Sequence, residues 1–193
     1  ERKHQEFLMQ VSRLKANGLQ DKSLHDYNFS NDKGYNPEMQ KAHDYVAHWE
    51  EMKVKSLGLL LWGDVGIGKS FFAGCIANAL VDKGVPVLMT NFSRILNTLT
   101  GMYSDDRSQF IDSFNKYSLL IIDDLGIERS SEFALEQVFN VIDSHYRSKK
   151  PLIVTTNLTL DELKHSKDLA RARIYDRVLE RCVPLKINNP NIR

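Results

Sequence analysis

The sequence predicts an α/β domain, a parallel sheet covered by helices on both faces. Three observations carry this expectation. Short apolar runs alternate with stretches of helical period, the pattern of successive βα units. One run, 57–62, leads straight into Gly63-Asp64-Val65-Gly66-Ile67-Gly68-Lys69-Ser70 and then into the alanine-bearing, proline-free stretch 71–80. Two more runs, 119–122 and 152–154, deliver carboxylates or polar side chains at their C-terminal ends, where an open α/β sheet gathers its ligand.

Taken in order, residues 2–16 place Phe7, Leu8, Val11 and Leu14 at helical spacing, with Asn17-Gly18 as a stop. Residues 19–36 have no period but carry Tyr27, Phe29 and Tyr35 among Asp, Asn and Ser. Two readings of these aromatics stand side by side: a cover for a purine base, or anchors of a loop to the core. Asn36-Pro37 supplies a cap and a first-turn proline for a helix running to about Lys53, with Ala42, Tyr45, Val46 and Trp49 inward. Strand 57–62 and helix 71–80 flank the glycine loop. Residues 85–90 read as the second strand, and Asn91 caps a helix to about Gly101. A short helix over 105–114, a third strand over 118–123 and a long helix over 132–148 follow. The fourth strand is 152–156, and Thr159 with Glu162 forms a capping box for the next helix. A helix over 171–181 and a last strand over 183–187 complete the pattern.

The glycine loop fits G-x-x-x-x-G-K-[ST], a P-loop. Its glycines allow backbone angles closed to other residues and leave room for phosphate against the main chain. Successive N–H groups and the positive end of the following helix then face the same anion. Residues Gly63, Asp64, Val65, Gly66, Ile67, Gly68, Lys69, Ser70 and Phe71 are therefore expected to bind a nucleoside triphosphate. Lys69 brings an ammonium to its terminal phosphates, and the Ser70 hydroxyl is a ligand for Mg²⁺. In Leu119-Leu120-Ile121-Ile122-Asp123-Asp124 the strand ends in two acids downstream of the P-loop, a Walker B sequence. Asp123 suits the Mg²⁺ ion, and Asp124 suits orienting and polarising the attacking water. In Leu152-Ile153-Val154-Thr155-Thr156-Asn157 the strand ends in an Asn that either forms a turn or, with the motifs above, serves as a sensor whose amide hydrogen-bonds the terminal phosphate or the attacking water. Arg173, Arg177 and Arg181 share one face of the last helix at i, i+4, i+8. That face is either solvated, with Asp176 and Glu180 as partners, or supplies an arginine finger to a neighbouring subunit's nucleotide.

With 193 residues, 42% hydrophobic and 26% charged, the chain has the composition of one ordinary globular domain. A net charge of +1 provides no global field for nucleic acid, so DNA contact requires a local patch. Cys75 and Cys182 stand in apolar surroundings without metal-ligand spacing, as in a reducing compartment. No apolar run reaches the length of a membrane helix and no signal peptide is seen, so a cytoplasmic protein without membrane partners is expected. A chain that starts at Glu1 without methionine fits one whose N-terminal part has been removed.

Together these residues resemble the AAA+ ATPases, and within them the DnaC/DnaI helicase-loader group and its relative, the IstB transposition ATPase. The resemblance runs from about Tyr27 to Arg193 through LHDYNFSN, GDVGIGKS, LLIIDDLGIE, IVTTN and RIYDRVLERC. It implies a P-loop NTPase three-layer sandwich with a five-stranded parallel sheet of order 5-1-4-3-2 and no C-terminal lid domain. Residues 1–36 become an N-terminal helix and aromatic linker, the remnant of a removed N-terminal domain, and 37–193 the AAA+ domain. It implies ATP with Mg²⁺, and assembly into rings or spirals with the site between subunits. Asp124 and Asn157 become catalytic, Arg177 the arginine finger with Arg173 beside it, and Arg193 a second sensor arginine on the nucleotide. The implied partners are a replicative DnaB-type helicase, gripped through the absent N-terminal domain, and single-stranded DNA. Candidate DNA contacts are Asn91-Phe92-Ser93-Arg94 and Glu128-Arg129-Ser130-Ser131. Asp124 stands where most AAA+ enzymes have glutamate; its shorter reach implies slow hydrolysis, stimulated by assembly or DNA. Three further readings are weighed: an IstB-like regulator of transposition, a nucleotide-gated binding module with little hydrolysis, and a small-molecule kinase, for which no lid-like insertion is found.

Overall fold

The computed structural model of the protein describes residues 1–126 and 131–188. Five strands, β1 (Gly58–Trp62), β2 (Val87–Asn91), β3 (Leu119–Leu125), β4 (Leu152–Thr156) and β5 (Cys182–Lys186), form one sheet. Its order is β2-β3-β4-β1-β5, the expected order read from the other edge, and every pairing is parallel. The helices are α1 (Arg2–Gly18), α2 (Met39–Ala47), α3 (Trp49–Val54), α4 (Lys69–Asp82), α5 (Phe92–Thr100), α6 (Ser104–Ser113), α7 (Glu132–Arg147), α8 (Leu160–Lys164) and α9 (Leu169–Arg181).

The central strands β1, β3 and β4 carry continuous apolar runs because both faces are covered, whereas the edge strand β5 buries only Cys182 and Leu185. Successive residues alternate between two cores. Leu60, Leu88, Leu120, Ile122 and Val154 pack with α5, α6, α7 and α9. Leu61, Met89, Leu119, Ile121 and Ile153 pack with α2, α3 and α4. The period-2 geometry of a strand makes this partition unavoidable once helices lie on both sides. It also explains why α4 is apolar nearly all round, with ten of its residues buried. At the near edge α1 closes on β2: a Cβ on Gly18 would lie 1.7 Å from the Val87 carbonyl oxygen.

The expected helix over 37–53 is two helices. Asn36 caps nothing helical; its Oδ1 accepts the Glu38 N–H at 3.0 Å in a local turn, and α2 starts at Met39. At His48 (φ −102, ψ 25) the backbone leaves helical angles, and the imidazole Nδ1 lies 2.9 Å from the Asp44 carbonyl oxygen. Two other caps act as read: Asn91 accepts the Arg94 N–H, and the Thr159–Glu162 capping box is complete. Ser131, not read as a cap, accepts the Ala134 N–H at the start of α7.

Candidate nucleotide site

The glycine loop joins β1 to α4 at the C-terminal end of the sheet. Gly63 has φ 143, and a Cβ there would meet Ile67 Cδ1 at 2.6 Å and the Ile187 carbonyl oxygen at 2.7 Å, so only glycine fits. Gly68, at φ 91, turns the chain into α4 in the left-handed region. Lys69 is only 5% exposed, and its Nζ donates to the carbonyl oxygens of Gly63 (2.9 Å) and Asp64 (2.6 Å). Burial pulls its pKa below the ordinary lysine value, against the opposing pull of Asp124, Asp123 and Asp64.

Ser70 Oγ lies 2.9 and 2.8 Å from the two carboxylate oxygens of Asp123, which ties the first turn of α4 to the end of β3. In a regular strand Asp123 and Asp124 would point to opposite faces. Here the β3–β4 register shifts: Ile122 pairs with Val154 but Leu125 pairs with Thr156. Two acids therefore face one residue, Thr155, in a β-bulge. Asp124 adopts φ 61, a left-handed conformation costing a non-glycine residue of order 1–3 kcal/mol. The result is that Asp124 lines the same cleft as the glycine loop. Burial raises its pKa above the usual carboxylate value, Asp123 adds to the rise, and Lys69 opposes it.

That cleft has a volume of about 820 Å³. Val65 to Phe71, Asp124 and Asn157 line one part of it; Tyr27, Tyr35, Asn36 and Met39 line the other. The strap over residues 19–36 is held there by α4. Asn78 Nδ2 donates to the carbonyls of Leu24 (2.8 Å) and Tyr27 (2.9 Å), and Gly74 leaves room for the Tyr27 ring, which meets Phe71 edge to face at 5.7 Å. The aromatics thus divide between the two readings. Tyr27 and Tyr35 line the cleft, whereas Phe29 stacks on His43 at 3.8 Å as an anchor. Asn78, Gly74 and Thr155 were not singled out from sequence. A buried Asn and a Gly inside an apolar helix are the only signals they offer.

Arg177 is not part of this cleft. Its Nε donates to Asp143 Oδ1 at 3.1 Å, its guanidinium lies 4.7 Å from the Tyr146 ring, and it is paired with Glu180 at 3.7 Å. Arg173 and Arg181 stack on Phe139 and Tyr146, so the arginine face is packed on α7. Of the candidate DNA contacts, Phe92 is buried in the core and Arg94 is exposed. Arg193 and residues 128–130 lie outside the described residues.

A parallel sheet of this order, with a P-loop after β1 and paired acids at the C-terminal end of β3, defines an AAA+ P-loop protein. The chain belongs to the family of IstB-like ATP binding proteins, whose model matches residues 1–193. It is similar to the replicative helicase loader DnaI of Bacillus subtilis (strain 168), 25% identical over 165 residues, which are 80% of this chain and 53% of that protein. It is similar also to the replicative helicase loader DnaC of Escherichia coli (strain K12), 25% identical over 143 residues, 72% of this chain and 56% of that one. The chain spans about half the length of the curated relatives it matches. The crystal structure of DnaI shares the fold, with a TM-score of 0.70 at 23% identity over 90% of this chain and 94% of that one. Among the described residues no helix is long and apolar enough to cross a membrane.

Proposed function

We propose that the chain is the ATPase domain of a helicase loader of the DnaC/DnaI type, which uses ATP and Mg²⁺ to switch its self-assembly and its hold on single-stranded DNA. The observation that carries this is the Ser70–Asp123 contact with Asp124 brought alongside by the bulge. A hydroxyl and a carboxylate are hard oxygen donors, the set that Mg²⁺ takes together with phosphate oxygens. When bound, the cation neutralises charge on the phosphates and draws electrons toward the leaving oxygen. The N-terminus of α4 receives the phosphates. Lys69 exchanges its two loop carbonyls for phosphate oxygens. Asp124 accepts a hydrogen bond from the attacking water, and Asn157 donates its amide to the terminal phosphate. Tyr27 and Tyr35 cover the base, and Ser70 and Asp123 hold the cation. Similarity to two loaders points to a replicative DnaB-type helicase as the partner. Among the described residues that line the cleft there is no arginine, and Arg177 of a neighbouring copy is the finger in this reading. An alternative is favoured by the IstB-like family match: the same ATPase serving transposition.

The test is ATPase rate against protein concentration, with and without single-stranded DNA, for wild type and Arg177→Ala. A rate per subunit that climbs with concentration and falls about 10³-fold or more in the variant, with ATP binding retained, is the expected result. A concentration-independent rate untouched by the substitution would remove the shared site. Capture of a purified replicative helicase rather than a transposase separates the two cellular roles.

A further inference from the structure

Both acids of the bulge depend on one hydroxyl. Thr155 is completely buried, and its Oγ1 donates to Asp123 Oδ1 at 2.5 Å while accepting the Asp124 N–H at 2.9 Å. Ser70 Oγ lies across both carboxylate oxygens, 2.9 Å from Oδ1 and 2.8 Å from Oδ2, so Thr155 holds the acid from the β4 side and Ser70 from the loop side. A threonine hydroxyl has one proton to give and lone pairs to accept with, and this position uses both capacities. Thr155 also sits where the register shifts, the one β4 residue facing two residues of β3. Its β-branched side chain has few rotamers in a strand, so the hydroxyl is held in place by the backbone of β4. The positive φ of Asp124 is thereby fixed from outside its own strand.

We infer that Thr155 is a positioning residue for the metal acid: it clamps the bulge, aims the Asp123 carboxylate at the cation, and joins the strand bearing Asn157 to both acids. The inference rests on the ATP and Mg²⁺ reading above. It makes the Mg²⁺ dependence of nucleotide binding, rather than nucleotide binding itself, the property that Thr155 controls.

The experiment titrates the full chain with a fluorescent ATP analogue in Mg²⁺ and in excess chelator, for wild type, Thr155→Val and Thr155→Ser, with melting curves alongside. Valine keeps the shape and removes the hydroxyl; serine keeps the hydroxyl. In the valine variant the tightening of binding by Mg²⁺ is expected to shrink at least fivefold while affinity in chelator stays within twofold. Serine restores wild-type tightening. If the valine variant does not melt cooperatively, Thr155→Ala supplies the same reading. Wild-type tightening in the hydroxyl-free variants, equal losses with and without Mg²⁺, or a serine variant as impaired as valine would each overturn the assignment. A wild type that binds the analogue without any Mg²⁺ effect would overturn the metal reading itself, and this inference with it.

Discussion

At the scale of single residues, the proposed function assigns binding and turnover to different side chains of the cleft. Lys69 is the buried cation nearest the expected phosphates, and a charge-assisted hydrogen bond contributes about 1.5–3 kcal/mol. Lys69→Ala is therefore expected to weaken ATP binding roughly 10- to 100-fold, read by equilibrium titration. Asp124→Asn keeps the size and the left-handed tolerance of the residue but removes the charge. ATP binding is expected to persist while turnover falls by about 10²–10⁴, read in a single-turnover assay. Equal losses of binding in both variants would contradict this division of labour. His145 plays no part in it, yet it sets a pH limit. It is 1% exposed, its Nε2–H donates to the Pro151 carbonyl at 2.9 Å, and burial pulls its pKa from 6.5 to about 4. The unfolded chain then binds more protons than the folded one between those values. Stability is full above about pH 6.5 and declines as pH falls toward 4. The loss amounts to on the order of 3 kcal/mol. His145→Gln, which keeps an amide donor near the same place, is expected to flatten the acid side of a stability–pH profile measured by denaturant unfolding.

Among the elements, the strap over residues 19–36 and α4 act as one unit. The strap has only two short 3₁₀ turns of its own, over Lys22–Asp26 and Phe29–Asn31. Its position comes from Asn78, from the gap at Gly74 and from the stacking of Phe29 on His43. A Cβ at position 74 would lie 2.4 Å from Tyr27 Cβ. Alanine in a helix interior normally gains up to about 1 kcal/mol over glycine, whereas overfilling a packed site costs about 1–3 kcal/mol. The second effect wins because the obstacle is the root of a side chain rather than its flexible end. Gly74→Ala is expected to lower the melting temperature by a few degrees and to weaken nucleotide binding by moving Tyr27. Unchanged affinity would show that the strap does not form the base wall. The β3 bulge is the other element-level device: it brings two consecutive acids to one side of a sheet whose period opposes it.

Across the whole molecule, the distribution of charge and arginine matters more than the net +1. The cleft takes Lys69 from the loop, Asp124 from the end of β3 and Asn157 from beyond β4, with Lys33 from the strap, whereas Arg177 sits on the α7–α9 face, held by Asp143, Tyr146 and Glu180. A site built this way is completed by a second copy under the proposed function, so its activity belongs to the assembly. Concentration dependence of the rate is the property that expresses this, and single-stranded DNA is expected to raise it by favouring assembly.

Much of this was legible in the sequence, for physical reasons that can be named. The P-loop is local: its glycines, lysine and serine are contiguous, and its function resides in the backbone they permit. The strands of a doubly covered sheet are apolar on every residue, so LLII and LIV stand out without alternation. Caps such as Asn91 and the Thr159–Glu162 box are satisfied within four residues. The bulge that turns Asp124 into the cleft and the hydroxyl of Thr155 beneath it come only with the tertiary structure. Both depend on β4 being brought alongside β3 by folding, and no local pattern records it. The glycine loop, the paired acids and the amide are all local in the chain and so are legible in it; how the two acids are held follows from the packing of β4 against β3.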